Sequence, residues 1–496
     1  MSKFSRNSLV NGALITVVMR WIDRGIGIVS TLVLARILVP EDFGIVAMAS
    51  LIVAFTSIIF DLGVNVAIIQ RKDPSPNYYN TAWTLRLIQA SCVAIALSAL
   101  APFAADYYHD YRVTDVIRVM SLTIVVSSLE NIGIINFQKD LNFSEDAKFI
   151  LFKRMVGFIT TIIMTLVLSN YWGMILGSLC GTIFSSCRSY WIHPMRPKLC
   201  LSELREIFSI SQWVLVKNIS QYLDRNAHIF IVGGMGSTSV TGGYTLASEI
   251  SDIPGTDLLA PINRVLFPAF AKARSDMAEL TRLLVTAQSI QVMITFPTCV
   301  GFVMTAHEFV PIALGEKWMF IIPFIQILAL SNIVQSISSS ANYVLTVVGQ
   351  IRLLALSSWI QIGLFGAGIL IAWKYLNPEM VALFRLGAIV STFGISYYML
   401  TRFVPGISII SMIRGITRPV MGSAAIVITL LAIDATVNFQ PAILLLLKIV
   451  VGVIAYVSVV LSMWYMAGKP DGAEAFLIRK IWRQPTSFAP TSNGQK

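Results

Sequence analysis

The chain has 496 residues, of which 56% are hydrophobic and only 13% charged. Soluble domains carry about 25% charged residues, so the composition excludes a soluble multidomain enzyme. The formal net charge of +11 would suggest nucleic acid in a soluble protein. Here loop cations obeying the positive-inside rule explain it better, and no nucleic-acid partner is expected.

In chain order, Lys3 and Arg6 precede an apolar run that continues through Arg20 to Leu38 without a small-residue cleavage site. It reads as a retained first helix. Apolar stretches of about 18 residues or more then recur, each long enough to span a bilayer. About fourteen spans are predicted. The first six lie near 12–38, 44–69, 82–103, 114–137, 148–169 and 171–192; the next six near 208–232, 243–270, 283–305, 320–347, 352–373 and 380–402; the last two near 419–436 and 441–466. The expected fold is an all-α integral membrane protein with two pseudo-symmetric six-helix lobes around a central cavity, plus two C-terminal helices. The expected divisions are 1–200, 201–410, 411–467 and a basic, partly disordered cytoplasmic tail at 468–496, with a surface helix near Ala473 to Arg483. With both termini in the cytoplasm, most of the 37 Lys and Arg fall in cytoplasmic loops, and the regular alternation supports an even span count.

The first span contains Trp21-Ile22-Asp23-Arg24 and the seventh Tyr222-Leu223-Asp224-Arg225. Six spans separate the copies, which predicts a parallel repeat. Arg20, Asp23, Arg24 and Gly27 share one helix face, as do Lys217, Gln221, Asp224 and Arg225. A charge at the centre of a membrane helix costs about 2.5–3.5 kcal/mol on insertion scales, so these residues pair or face a polar cavity. Arg86 and Arg264 add cations in the third and eighth spans. Arg20, Arg24, Arg86, Lys217, Arg225 and Arg264 are therefore candidates for an anion site, guanidinium groups being suited to phosphate oxygens. The duller reading is that each Asp-Arg pair neutralises itself and locks packing. Among the buried acids, Asp23, Asp61, Asp224 and Glu249 are candidates for coupling transport to a proton or sodium gradient; pairing with the cations is the alternative.

Gly173, Gly177 and Gly181 form a GxxxG run in the sixth span, for internal packing or a homodimer face. The eighth span is the least apolar, with Pro254 and Pro261. The stretch from Gly233-Gly234-Met235-Gly236 to Gly242-Gly243 reads as a flexible outer loop. Asn332, Gln335, Ser336, Ser338 to Ser340 and Asn342 either line a sugar path or bond neighbouring helices. No G-x-x-x-x-G-K-[ST] loop is present, no metal spacing occurs among the four His and five Cys, and no outer loop is large enough for a membrane glycosyltransferase or polymerase site. Neither an enzyme nor a cofactor is expected. A cationic-drug antiporter is disfavoured by the basic cavity, and a non-transporting accessory protein by the repeated charges.

Leu34-Ala35-Arg36, Leu38, Pro40-Glu41-Asp42-Phe43-Gly44, with Asp61-Leu62-Gly63 and Val265-Leu266-Phe267-Pro268, resemble segments of Wzx-type polysaccharide transporters. These are lipid-linked oligosaccharide flippases of the multidrug/oligosaccharidyl-lipid/polysaccharide exporter superfamily. The resemblance covers roughly residues 5–410. It implies two six-helix lobes, alternating access, and an undecaprenyl-pyrophosphate-linked glycan moved to the outer leaflet of the bacterial inner membrane for exopolysaccharide, capsule or O-antigen, with polymerase and export machinery as partners. Related lipid II flippases use cavity arginines on the first helix, where Arg20 and Arg24 stand here.

Overall fold

The structure, a computed structural model, describes residues 6–61, 63–71, 73–140, 142–204, 212–404, 409–437, 439–470 and 472–475. The predicted surface helix of the tail lies outside them beyond 475. Among the described residues the regular structure is entirely helical. In order the helices are α1 (Arg6–Ile37), α2 (Pro40–Ile59), α3 (Val64–Gln70), α4 (Pro76–Tyr108), α5 (Arg112–Ser128), α6 (Ile135–Lys139), α7 (Phe143–Leu168) and α8 (Trp172–Ile192). They continue as α9 (Gln212–Gly233), α10 (Thr238–Asp252), α11 (Ala260–Lys272), α12 (Met277–Ala313), α13 (Ile322–Val347), α14 (Ile351–Ile371), α15 (Pro378–Phe403), α16 (Ile409–Thr436) and α17 (Pro441–Met466).

Nine of the described helical segments are long and apolar enough to cross a membrane, ten if α5 and α6, bent by 65° with the short 3-10 turn Ile132–Ile134, count as one span. The predicted spans outside this set are helical too. They are α1 and α9, which carry the repeated charges; α8, rich in Gly and Ser; and the α10–α11 segment, which is broken.

Two predicted spans are interrupted for visible reasons. The second ends at Ile59 and α3 starts anew after Gly63, whose φ of 64° is the left-handed region that favours glycine. The eighth contains a π-helical turn, Ile253–Asp257, with Pro254 in its first turn, because proline removes the backbone donor that an α-helix needs there. The expected loop at Gly233–Gly243 is corrected as well. Only residues 234–237 connect α9 to α10, and Gly242 is helical; a Cβ on it would overlap the Pro40 carbonyl.

The chain forms two compact units, residues 1–250, 309–325 and 358–388 in the first and 251–308, 326–357 and 389–496 in the second. The first has a core from α2, α4, α5 and α8, with Met48, Leu97 and Ile117 fully buried. Its α7–α8 pair is set by the glycine run: a Cβ at Gly173 or Gly177 would meet the backbone of Thr165 or Thr161, and one at Gly181 that of Gly157. The run therefore serves internal packing, where small residues let helix backbones approach. At the start of α2, Asp42 accepts from the Val39 N–H at 3.2 Å and the Tyr171 N–H at 3.0 Å, tying α2 to α8.

In the second unit Phe270, Leu284, Val344 and Leu400 lie in one buried cluster and Ile426, Leu430 and Val460 in another. The polar stripe on α13 is largely turned to neighbouring helices. Asn332 Nδ2 donates to the Ser251 carbonyl at 2.7 Å and to Asp252 at 3.2 Å, and the Ser340 hydroxyl donates to Gln291 at 2.6 Å. Asn342 alone among those named is exposed.

Candidate functional site

Two charged clusters lie within the helices of the first unit. The first is on α1. Its predicted polar face is present, with Arg20 exposed and Asp23 and Arg24 part-exposed. Arg154 of α7 joins it, its Nε 3.3 Å from Asp23 Oδ1. Gly27, one turn beyond Asp23, explains the fit: a Cβ there would collide with the Arg154 guanidinium. One acid among three arginines leaves the cluster net positive, and the pair Asp23–Arg154 is partly solvated, both side chains being over 40% exposed.

Arg154 was not singled out in the sequence, since it lies with Lys148 and Lys153 in the first residues of the predicted fifth span. The helix begins at Phe143, so Arg154 stands about 16 Å from its start at 1.5 Å per residue. The legible signal was the spacing: Lys153 and Arg154 are followed by an apolar run, which is where a long side chain snorkels into a span.

The second cluster is around Asp224 on α9. Gln361 of α14 is hydrogen-bonded to its carboxylate. Arg385 of α15 lines the same small, partly open cavity, about 20 Å³ in volume, that Asp224, His228, Leu223 and Phe365 also border. His228, one turn on, is buried; its ring nitrogens meet the Tyr244 hydroxyl at 3.0 Å and the Arg225 carbonyl at 2.9 Å. Arg225 itself is exposed, 100° around the helix from Asp224. Neither Gln361 nor Arg385 was singled out in the sequence, since nothing in their own spans marks which residue of α9 they meet.

The two copies of the repeat make corresponding contacts. Asp23 on the first predicted span bonds a polar residue of the fifth, and Asp224 on the seventh bonds one of the eleventh. Tyr222 of the second copy donates its hydroxyl to the Leu51 carbonyl at 2.6 Å and lies against Phe55.

The other candidates are placed separately. Arg86 donates to the Ser127 carbonyl at 2.6 Å, at the end of α5. Beside it Lys153 pairs with Glu130 at 2.8 Å. Asp61 is exposed and accepts from the Gly63 N–H at 2.9 Å, closing the turn before α3. Glu249 is exposed near the end of α10. The side chains of Lys217 and Arg264 lie outside the described residues. Among the described residues no group of three His, Cys, Asp or Glu is placed to hold a metal ion.

Long apolar helices that carry charges within their length, in a repeated arrangement, define a multi-pass membrane protein of the transporter class. The chain belongs to the polysaccharide biosynthesis protein family, whose profile matches residues 33–323. It is 26% identical over 412 residues to the lipopolysaccharide biosynthesis protein WzxC of Escherichia coli K12, covering 81% of this chain and 83% of that one. It is 23% identical over 434 residues to a membrane protein of the cps region of Klebsiella pneumoniae, covering 86% and 89%. Among solved structures it shares the fold of the lipid II flippase MurJ in an inward closed conformation, with a TM-score of 0.73 at 12% identity over 92% of this chain and 99% of that one. The family resemblance read from Leu34 to Gly44 therefore holds.

Proposed function

We propose that the protein flips a lipid-linked oligosaccharide, an undecaprenyl-pyrophosphate repeat unit, from the inner to the outer leaflet of the bacterial cytoplasmic membrane by alternating access. One observation carries this reading: the arginine face of α1, with Arg20 and Arg24 solvent-accessible and Arg154 added from α7. Cations at that depth are costly and are retained where they meet an anion; the guanidinium fork matches pyrophosphate oxygens. WzxC, a lipopolysaccharide biosynthesis protein, and MurJ, a lipid II flippase, agree with it in kind. In this reading Lys217 and Arg225 complete the anion site from the second half, with Arg86 and Arg264 supporting. The chain crosses the membrane fourteen times with both termini in the cytoplasm, as two six-helix lobes and a C-terminal pair. The prenyl tail stays in lipid, and the flipped unit passes to polymerase and export machinery. A proton or sodium gradient drives the cycle. Among Asp23, Asp61, Asp224 and Glu249, the enclosed setting favours Asp224 as the coupling acid.

The test is lipid-linked glycan accumulation in a deletion strain complemented by wild type, Arg24→Ala or Lys217→Ala. Inner-leaflet accumulation that only the wild type clears supports the reading. Full export by both variants at normal expression would sink the anion site.

A further inference from the structure

The neighbours of Asp224 decide which ion it can take. Arg385 supplies a positive charge that proteins do not deprotonate. Gln361 holds one carboxylate oxygen. Arg225, next in sequence, is directed to the exposed side. His228 has both ring nitrogens engaged. The Arg225 carbonyl can only accept, so Nε2 carries the hydrogen, and in the neutral ring the Tyr244 hydroxyl donates to Nδ1. His228 is buried beside the Arg385 charge, a setting that disfavours an imidazolium, and in the neutral ring both nitrogens are engaged, with the Tyr244 hydroxyl bonded to one of them. Among the described residues, the Asp224 carboxylate is thus the proton acceptor of the cavity. A hard metal cation needs a shell of oxygen ligands. Beyond Asp224 and Gln361 the side chains lining the cavity are Leu223, Ala227, Ile362, Phe365 and Ala388, with His228 and Arg385. None of these has a side-chain oxygen, so beyond Asp224 and Gln361 a cation would depend on backbone carbonyls and water, and Arg385 repels it.

We infer that Asp224 binds a proton rather than sodium, and that Arg385 is the fixed counter-charge that turns this protonation into a helix movement. This rests on the transport reading and names its coupling ion. With Asp224 ionised the two charges compensate. One proton from water neutralises the carboxylate and leaves the guanidinium as an uncompensated charge among apolar walls. Arg385 is only 9% exposed, and its Nε–H is buried without a hydrogen-bond partner already in the compensated state. A buried charge that loses the opposite charge bordering the same cavity is unfavourable. The protonated protein therefore favours an arrangement in which α9 separates from α14 and α15 and water reaches Arg385. Proton binding shifts the equilibrium because the two arrangements differ in affinity for the proton.

The experiment is amide hydrogen exchange of α9, α14 and α15 in the full-length protein in nanodiscs, without any glycan lipid. Acidification at fixed ionic strength, corrected for the intrinsic pH dependence of exchange, is compared with addition of sodium chloride against choline chloride at fixed pH. Wild type should exchange at least tenfold faster at acid pH and show no sodium-specific change. Asp224→Asn should exchange fast at every pH. The double variant Asp224→Asn/Arg385→Gln, with neither charge, should exchange slowly at every pH. A sodium-specific change, a pH response retained in Asp224→Asn, or a double variant as open as Asp224→Asn would overturn the inference. Because no substrate is present, failure of glycan flipping in the deletion strain leaves this result standing, and the reverse also holds.

Discussion

Arg36 caps the end of α12, and Lys317, just beyond that end, caps the end of α1. The Arg36 guanidinium donates to the Ala313 carbonyl at 3.2 Å and to that of Ile312, at the end of α12. Lys317 Nζ donates to the carbonyls of Arg36 at 3.0 Å and Leu38 at 2.5 Å, at the end of α1. The buried Trp318 adds its Nε1–H to the Ala35 carbonyl at 2.9 Å. The last carbonyls of a helix have no partner within it, and a cation there gains from the helix dipole, about 0.3–1 kcal/mol. Arg36→Gln and Lys317→Gln should each lower stability by about 1 kcal/mol, seen as a lower Tm in detergent. Unchanged melting in both would show that the caps contribute nothing.

The same segment shows what the sequence could and could not reveal. The residues from Leu34 to Gly44 stand out as a motif, yet their work lies in contacts with residues some 130 to 280 positions away, at Tyr171, Thr238 and Ile312. Helical periodicity identified the α1 face and the charged copy on α9, because those signals are local. Arg385 and Gln361 sit in ordinary spans, and their meaning comes only from the packing that brings them to Asp224. Gly242 misled for the same reason: glycines signal a loop unless the neighbour that excludes a Cβ is known.

Gly242→Ala tests that close approach. Its Cβ would overlap the Pro40 carbonyl, and Gly44 meets the Thr238 carbonyl in the same way. Neither neighbour is a flexible side-chain end, so α2 and α10 must move apart. Overpacking costs about 1–3 kcal/mol, and Gly242→Ala should lose that much. Gly394→Ala, in the same type of helix but with nothing within 4 Å of its Cβ, should be neutral or gain about 0.5–1 kcal/mol of helix propensity. Equal melting temperatures for the two variants would contradict the packing described.

Lys448 of α17 is 2% exposed and bonds Glu308 of α12 and Asp434 of α16, each at 2.6 Å. It is a polar tie between the C-terminal helix pair and α12, along with the Tyr456 hydroxyl, which donates to the Met293 carbonyl at 2.8 Å. Lys448→Met leaves Glu308 buried and unpaired, which costs about 3–5 kcal/mol. Lys448→Met/Glu308→Gln should recover much of that loss, since no uncompensated charge remains at α12. A single variant as stable as wild type would remove the tie.

Asp110, in the turn between α4 and α5, gives a pH test outside the spans. Burial pushes its carboxyl up. The Arg112 side chain at 2.7 Å, the Arg112 N–H at 3.0 Å and the Thr238 hydroxyl at 3.1 Å outweigh burial and hold it below the usual carboxylate value. A lowered folded value means stability fully present above the unfolded value of about 3.9 and lost as pH falls through the folded one. Asp110→Asn should therefore melt lower than wild type by a constant margin from pH 5 to 8, and the margin should shrink below about pH 4. A margin that instead shrinks between pH 6 and 8 would assign the effect to another group.

Asp23 and Arg154 allow the binding and packing roles of the α1 cluster to be separated. If the pair only locks α1 to α7, Asp23→Asn and Arg154→Gln should be equally harmful, and the double variant should recover. If Arg154 serves the substrate, the two diverge. Arg154→Gln removes a phosphate partner and should lower translocation of the lipid-linked glycan by at least about tenfold, the scale of a charge-assisted hydrogen bond of roughly 1.5–3 kcal/mol. Asp23→Asn leaves all three arginines in place, frees Arg154 from its 3.3 Å contact, and should keep translocation at or above the wild-type rate. Because both side chains are over 40% exposed, water screens the pair, so neither variant should lower stability by more than about 1 kcal/mol. Matched losses in both variants, rescued in the double, would return the pair to packing and leave Arg20 and Arg24 to hold the pyrophosphate.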